Sequence, residues 1–243
     1  MLWVNFKLYQ EAFAQQGVIL AQACRRVSKK TGVKIIPLVS ALDLWRVKTE
    51  VGGEVWLQHL DLFFEGQYTG WISPLAAILI GAKGALLNHS EHKIPPGKIR
   101  QILAYLKKEK WQEKWLKEIQ GLTRKQLEGF QLMICIKTKG QAERWLKKLR
   151  PRPEFVAYEP PELIGGEVSV TQAHPQVIER MVKLLPRYQL IVGAGIKTKE
   201  DVRRALALGA KGVLVSSAVI KAKNPEKKLL ELAQGFNEAK IEG

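Results

Sequence analysis

Short apolar runs bounded by turn residues recur along this chain at nearly regular intervals. Eight of them have strand length: residues 2–6, 34–38, 54–58, 84–87, 132–136, 155–158, 189–192 and 212–215. The segments between them carry helical period instead. Residues 15–30 place apolar side chains at helical spacing, and His174-Pro175 opens a run of Val177, Ile178, Met181, Val182 and Leu185. Thr198 stands at capping-box spacing from Asp201, ahead of Val202, Ala205, Leu206 and Leu208. Asn224-Pro225 forms an N-cap and first-turn pair ahead of Leu229, Leu230 and Leu232. Strands alternating with helices predict a parallel sheet. Eight such units in 243 residues predict an α/β fold of the closed (β/α)8 kind, as a single domain. The rival is an open, doubly wound sheet. It usually carries a glycine-rich turn after its first strand, and Phe6-Lys7-Leu8-Tyr9 has none.

One unit is oversized. Such a barrel allots about 31 residues to each unit, yet 46 positions separate His89 from Cys135. The excess falls near residues 108–124, between the fourth and fifth strands. There Trp111, Trp115, Ile119 and Leu122 form an apolar stripe at helical spacing, with Lys and Glu opposite. Thr123 and Gln126 have the spacing to cap a further short helix. This predicts an added helix on the outside of the barrel. A subunit interface is a second reading. A nucleic-acid stacking platform is a third, opposed by tryptophans that follow an apolar stripe rather than interleave with the basic residues.

Composition narrows the class. Hydrophobic residues make up 46% and charged residues 26%, as in ordinary globular proteins. Cys24 and Cys135 are far apart with no CxxC, which argues against a disulfide scaffold or zinc site and fits a reducing cytoplasm. The N-terminus has no basic region ahead of an apolar run, so no secretory signal is expected. The most apolar stretch, residues 71–87, is broken by Ser73, Pro74 and Lys83 and is too short to span a bilayer. The net charge is +16, with Lys and Arg spread over the whole length. That suits a solvated surface that also attracts a small anion; nucleic-acid binding remains as a non-specific electrostatic reading.

In a parallel barrel the carboxyl ends of the strands form the active face. Those positions here are Asn5 and Lys7, Gln58, His89, Cys135, Glu159, residues 193–195, and Ser216 and Ser217. Gly193-Ala194-Gly195-Ile196 and Val215-Ser216-Ser217 are small-residue turns that let backbone N–H groups approach a phosphate. Glu159 ends a buried run and is followed by Pro160-Pro161, a short apolar tip and Gly165-Gly166. It reads either as a base beneath a hinged lid or as a solvated carboxylate on a proline-rich loop. His89 emerges after the fourth strand. Ser90 can cap a helix starting there, whose positive end would keep the imidazole neutral. His89, Glu91 and His92 read alternatively as metal ligands, but no fourth partner is evident. Lys7 at the end of the first strand needs a counterion if buried, and Glu91 is the candidate.

These residues fall into five ordered motifs. They are Asn5-Phe6-Lys7, Asn88-His89-Ser90-Glu91-His92, Tyr158-Glu159-Pro160-Pro161-Glu162-Leu163-Ile164-Gly165, Gly193-Ala194-Gly195-Ile196 and Val215-Ser216-Ser217. Together they resemble the triosephosphate isomerase family. The Glu-Pro-Pro-Glu-Leu-Ile-Gly and Asn-His-Ser-Glu forms, with Ile220-Lys221-Ala222-Lys223-Asn224-Pro225, are similar to its compact, archaeal-type branch. The resemblance covers the chain outside residues 111–124. It implies a TIM barrel that interconverts dihydroxyacetone phosphate and D-glyceraldehyde 3-phosphate, with no metal and no cofactor. The implied partners are a triose phosphate and further copies of the chain in a homodimer or homotetramer, in the cytoplasm. By motif, Glu159 is the base, His89 the neutral electrophile, and Lys7, paired with Glu91, a catalytic cation. Asn5, Phe6 and Lys7 bind substrate, residues 164–166 form the lid, and Gly195, Ser216 and Ser217 complete the phosphate site; Ser90 and Glu91 support His89. The chain departs from the family in two places. Gly166-Glu167 replaces the Thr-Gly that usually follows the lid's glycine, and Trp71 occupies a usually polar position in a loop that normally packs on a partner subunit. Another sugar-phosphate barrel enzyme and a basic nucleic-acid-binding barrel are the alternatives.

Overall fold

Alternation along each apolar run decides which side chains fill the barrel and which meet the helices. In the computed structural model, which describes residues 1–164, 166 and 168–241, the strands are β1 (Leu2–Asn5), β2 (Ile35–Val39), β3 (Trp56–Leu57), β4 (Gly84–Leu87), β5 (Gln131–Ile136), β6 (Phe155–Tyr158), β7 (Gln189–Val192) and β8 (Gly212–Val215). They pair in chain order, all parallel, into a closed barrel. Closure comes from β1 on β8, with Leu2 opposite Val213 and Val4 opposite Val215. A side chain on Gly212 would collide with the Met1 carbonyl, so only glycine lets the first strand come this near.

Two cores follow from the alternation. Trp3, Leu38, Trp56, Leu86, Met133, Cys135, Phe155, Ala157, Ile191 and Leu214 belong to the inner one. Trp3 and Phe155 meet edge-on at 4.9 Å, and Trp56 contacts both rings at 5.9 and 5.7 Å, so three large aromatics plug the lower barrel. Gly84 makes room for this plug, because a side chain there would meet the Trp56 ring. Leu2, Val4, Leu87, Ile134, Val156 and Val213 point outward into the larger core under the helices. Phe6 continues that outward row and is fully buried in it.

The surrounding helices are α1 (Ala14–Thr31), α2 (Ala41–Glu50), α3 (Pro74–Ile80), α4 (Pro96–Lys107), α5 (Glu109–Glu118), α6 (Arg124–Glu128), α7 (Lys139–Gln141, continued by a π-turn at Ala142–Leu146), α8 (Val170–Ala173), α9 (Pro175–Leu184), α10 (Lys199–Ala207), α11 (Ser217–Ile220) and α12 (Pro225–Ile241). The Thr198–Asp201 capping box is present, and Asn224 Oδ1 accepts the Lys227 N–H at 2.9 Å. Three helices, α4 to α6, fill the long connection between β4 and β5, and Thr123 with Gln126 caps α6 reciprocally. Trp115 is buried and stacks on Phe64 at 5.5 Å. The tryptophan stripe therefore packs α5 onto the loop after β3. Among the described residues no helix is long and apolar enough to cross a membrane.

One expectation is overturned. No helix begins at Ser90; the chain makes a single turn closed by the His92 N–H on the His89 carbonyl, and α4 waits until Pro96. Asn88 holds this detour, donating to the Cys135 carbonyl at 2.9 Å and accepting from the Ile94 N–H at 3.1 Å. Pro96 then sets the start, because proline suits the first helical position.

Burial of Cys24 in α1 makes stability pH-dependent. Desolvation pushes its thiol from 9.0 up to about 12. Below pH 9 both states keep the proton. Above it the unfolded chain loses a proton that the folded chain retains, so stability falls toward pH 12. In denaturant unfolding at stepped pH, Cys24→Ala should remove up to about 1.4 kcal/mol per pH unit of that decline; equal slopes would contradict this.

Candidate active site

Three strand ends place the central groups. β6 runs Phe155 in, Val156 out, Ala157 in and Tyr158 out, so the next residue, Glu159, turns into the barrel mouth. It is buried, at 7% exposure. Its Oε2 accepts the Cys135 thiol at 3.2 Å and lies 3.5 Å from His89 Nε2. Burial and the facing Glu159 carboxylate hold the Cys135 thiol well above its usual range, so it serves as a donor. Gly193 leaves the carboxylate its space, since a Cβ there would sit 2.6 Å from Glu159 Cγ.

His89 is buried, and its Nδ1 accepts the Glu91 backbone N–H at 3.2 Å. With that lone pair engaged, Nε2 is left to carry the N–H, on the edge toward Glu159. The turn thus supplies one N–H where a helix end was expected. Lys7 Nζ lies 2.6 Å from Glu91 Oε1. Its backbone is left-handed at φ 48, and Asn88 (φ 61) and Ala194 (φ 72) share that conformation around the same mouth. Lys7 is held there from both sides: its N–H donates to Asn5 Oδ1 at 3.1 Å, and its carbonyl accepts Gln58 Nε2 at 3.0 Å.

These groups share a cavity of about 230 Å³. Asn5, Lys7, His89, Glu91, Glu159, Ile164, Gly195, Ser216 and Ser217 all line it. Phe6 does not, for it lies in the outer core, and Ser90 lines a smaller neighbouring cleft with Cys135 and Glu159. Gly165 and Glu167 lie outside the described residues. Ile196 of the glycine turn lines it as well, and Tyr9 and Lys197 also line the cavity, unforeseen from the sequence. The signal for Lys197 was its place just past the Gly-Ala-Gly turn. Ser216 ties two strand ends together, its Oγ donating to the Asn5 carbonyl at 2.7 Å. The first turn of α11 leaves the Ser217 and Ala218 N–H groups without intrahelical acceptors, because Ser216 C=O takes Val219 and Ile220.

A model of the triosephosphate isomerase family matches residues 1–235. The chain belongs to the triosephosphate isomerase family. It is 35% identical to the triosephosphate isomerase of Metallosphaera sedula, over 97% of this chain and 95% of that protein. It is 38% identical to that of Saccharolobus solfataricus over 92% and 90%, and 35% identical to that of Methanothermus fervidus over 94% and 95%. The resemblance to the archaeal-type branch is thus borne out.

The segment that leaves β6 after Glu159 begins with Pro160-Pro161. Leu163 N–H bonds to Pro160 O, Ile164 N–H to Pro161 O, and Gly166 N–H to Leu163 O, which makes a tight run of turns. The far end is anchored on the glycine turn after β7: Val170 N–H donates to the Ala194 carbonyl at 3.2 Å. Gly195, at φ 70, lets Val168 and Ser169 pass against it, where any side chain would collide. The exit of this segment is therefore held by the turn itself and by the Ser169 cap of α8.

Gly193→Ala tests whether the carboxylate position matters. The three atoms nearest the added methyl all belong to the Glu159 side chain, so the fold should persist while kcat for triose phosphate falls about a hundredfold. Unchanged kcat would show that Glu159 does not work from this position.

Proposed function

We propose that this chain interconverts dihydroxyacetone phosphate and D-glyceraldehyde 3-phosphate through an enediolate. The observation that carries the reading is the meeting of the Glu159 carboxylate and the His89 Nε2 edge, 3.5 Å apart, in the cavity that Gly195, Ser216 and Ser217 also line. A base beside a neutral imidazole is the known pattern of this family rather than a deduction from these distances.

The chemistry follows from the placement. Glu159 takes a proton from C1 of dihydroxyacetone phosphate, and the C–H electron pair becomes the C1=C2 bond. The carbonyl π pair moves onto O2 as an oxyanion. The Nε2–H of His89 and the Lys7 ammonium stabilise that charge as it forms. His89 passes its proton to O2 and takes one from O1. Glu159 then returns its proton to C2, which leaves the aldehyde at C1. Substrate and product are isomers, so electrons balance within the substrate. Closure of the lid over the phosphate, through residues 164–166, excludes water from an intermediate that would otherwise lose phosphate. Lys7 and Asn5 contact substrate directly, while Gln58 acts through Lys7 as a positioning residue.

A second copy of the chain is part of this reading, as a homodimer or homotetramer. Leu42 at 94% and Trp45 at 65% are exposed on α2, and Tyr68 and Trp71 are about half exposed on the loop after β3, which supports a covered face. Sedimentation at a monomer mass across micromolar concentrations would remove it. The cytoplasm is the compartment that suits two buried, unpaired cysteines and a triose phosphate substrate.

Glu159→Gln keeps the shape and removes the base. Its kcat in a coupled isomerase assay should fall by about 10² to 10⁴ relative to wild type. Turnover equal to wild type would refute the role of Glu159.

A further inference from the structure

The charges lining the cavity do not favour a dianion unless Lys197 takes part. Among the described residues four charged residues line it: Lys7, Glu91, Glu159 and Lys197. Lys7 is already compensated by Glu91 at 2.6 Å. Among the described residues Glu159 has no Lys or Arg against it; its partners are the Cys135 thiol and the His89 ring. Without Lys197 the lining would carry a net negative charge before a phosphate entered, and every ångström of approach would cost Coulomb energy. With it the lining is neutral.

Lys197 has the freedom to answer an anion. Its N–H donates to Asp201 Oδ2 at 3.0 Å, and its carbonyl accepts Lys228 Nζ at 3.2 Å. Both backbone groups are thus committed to the start of α10 and to α12, and the chain is fixed where it leaves the Gly193–Gly195 turn. The side chain is half-buried, and among the described residues no carboxylate lies within ion-pair distance of its ammonium. A lysine in that setting, lining the same cavity as Gly195, Ser216 and Ser217, is within the region where a phosphate would sit.

We propose that Lys197 is a cationic contact for the ligand's phosphate, giving this cavity a preference for dianionic over uncharged trioses. The proposal rests on the isomerase reading for its turnover arm, and on the cavity alone for its binding arm.

The test compares wild type with Lys197→Met and Lys197→Arg. Binding of inorganic phosphate, followed by calorimetry, should weaken about tenfold in Lys197→Met and recover in Lys197→Arg. kcat/KM for glyceraldehyde 3-phosphate should fall by the same factor, while the slow turnover of unphosphorylated D-glyceraldehyde stays as in wild type. Lys221, whose ammonium lies 4.7 Å over the Tyr9 ring at the rim, is the control for a diffuse field. Lys221→Met should change phosphate binding by less than about twofold. Unchanged phosphate binding in Lys197→Met, an equal loss with D-glyceraldehyde, or an equal loss in Lys221→Met would each overturn the proposal. A wild-type protein that binds phosphate but shows no isomerase activity would refute the isomerase reading and leave the Lys197 contact standing.

Discussion

The site depends on the closure of β1 onto β8. No strand carries the chemistry alone: the cation comes from the end of β1, the imidazole from β4, the carboxylate from β6, and the small-residue turns from β7 and β8. Only a closed ring of parallel strands brings these ends to one mouth. The seam is where the first and last strands meet, and it is made by contacts that span the chain. Gly212 admits the Met1 backbone, and the Ser216 hydroxyl reaches the Asn5 carbonyl at 2.7 Å, 211 residues away in sequence. The same bond fixes Asn5, whose side chain holds the left-handed Lys7 in place. On the proposed mechanism a structural constraint and a catalytic one are therefore the same set of atoms.

How far the sequence reveals this depends on whether the deciding contact is local. The strands at 84–87, 155–158, 189–192 and 212–215 read with their observed bounds, because alternation and flanking turn residues are local signals. β3 reads as five residues and forms only Trp56–Leu57, since the pairing on either side, with Leu38–Val39 and Gly84–Ala85, extends no further. Ser90 has the composition of a helix cap, yet Asn88 reaches across to Cys135 and Ile94 and holds the chain off a helix until Pro96. The inward turn of Glu159 follows from counting along β6. Its contacts do not, because Cys135 belongs to β5 and His89 to β4, and neither neighbour is written near it. Lys197 is the plainest case: one lysine among 39 basic residues in the sequence, and one of two lysines lining the cavity among the described residues.

The large positive charge takes on a more specific meaning in this light. Much of it lies on solvated helix faces, some paired at i,i+4 spacing as in Arg46–Glu50 and Lys139–Glu143, where each pair contributes only tenths of a kcal/mol. The tryptophans of α5, which with their lysines suggested a nucleic-acid platform, are committed to Phe64 and Tyr105. What bears on function is the balance at the mouth, where two lysines and two glutamates line the cavity.

The central claim is that one cavity holds the phosphate at the turns after β7 and β8 and presents the carbon skeleton to Glu159 and His89. The most direct measurement is a crystal structure with 2-phosphoglycolate, a mimic of the planar anionic intermediate. The account predicts its phosphate against Gly195, Ser216 and Ser217, and its carboxylate within hydrogen-bonding reach of His89 Nε2 and Glu159. A phosphate bound elsewhere, or a carboxylate turned away from both side chains, would contradict it.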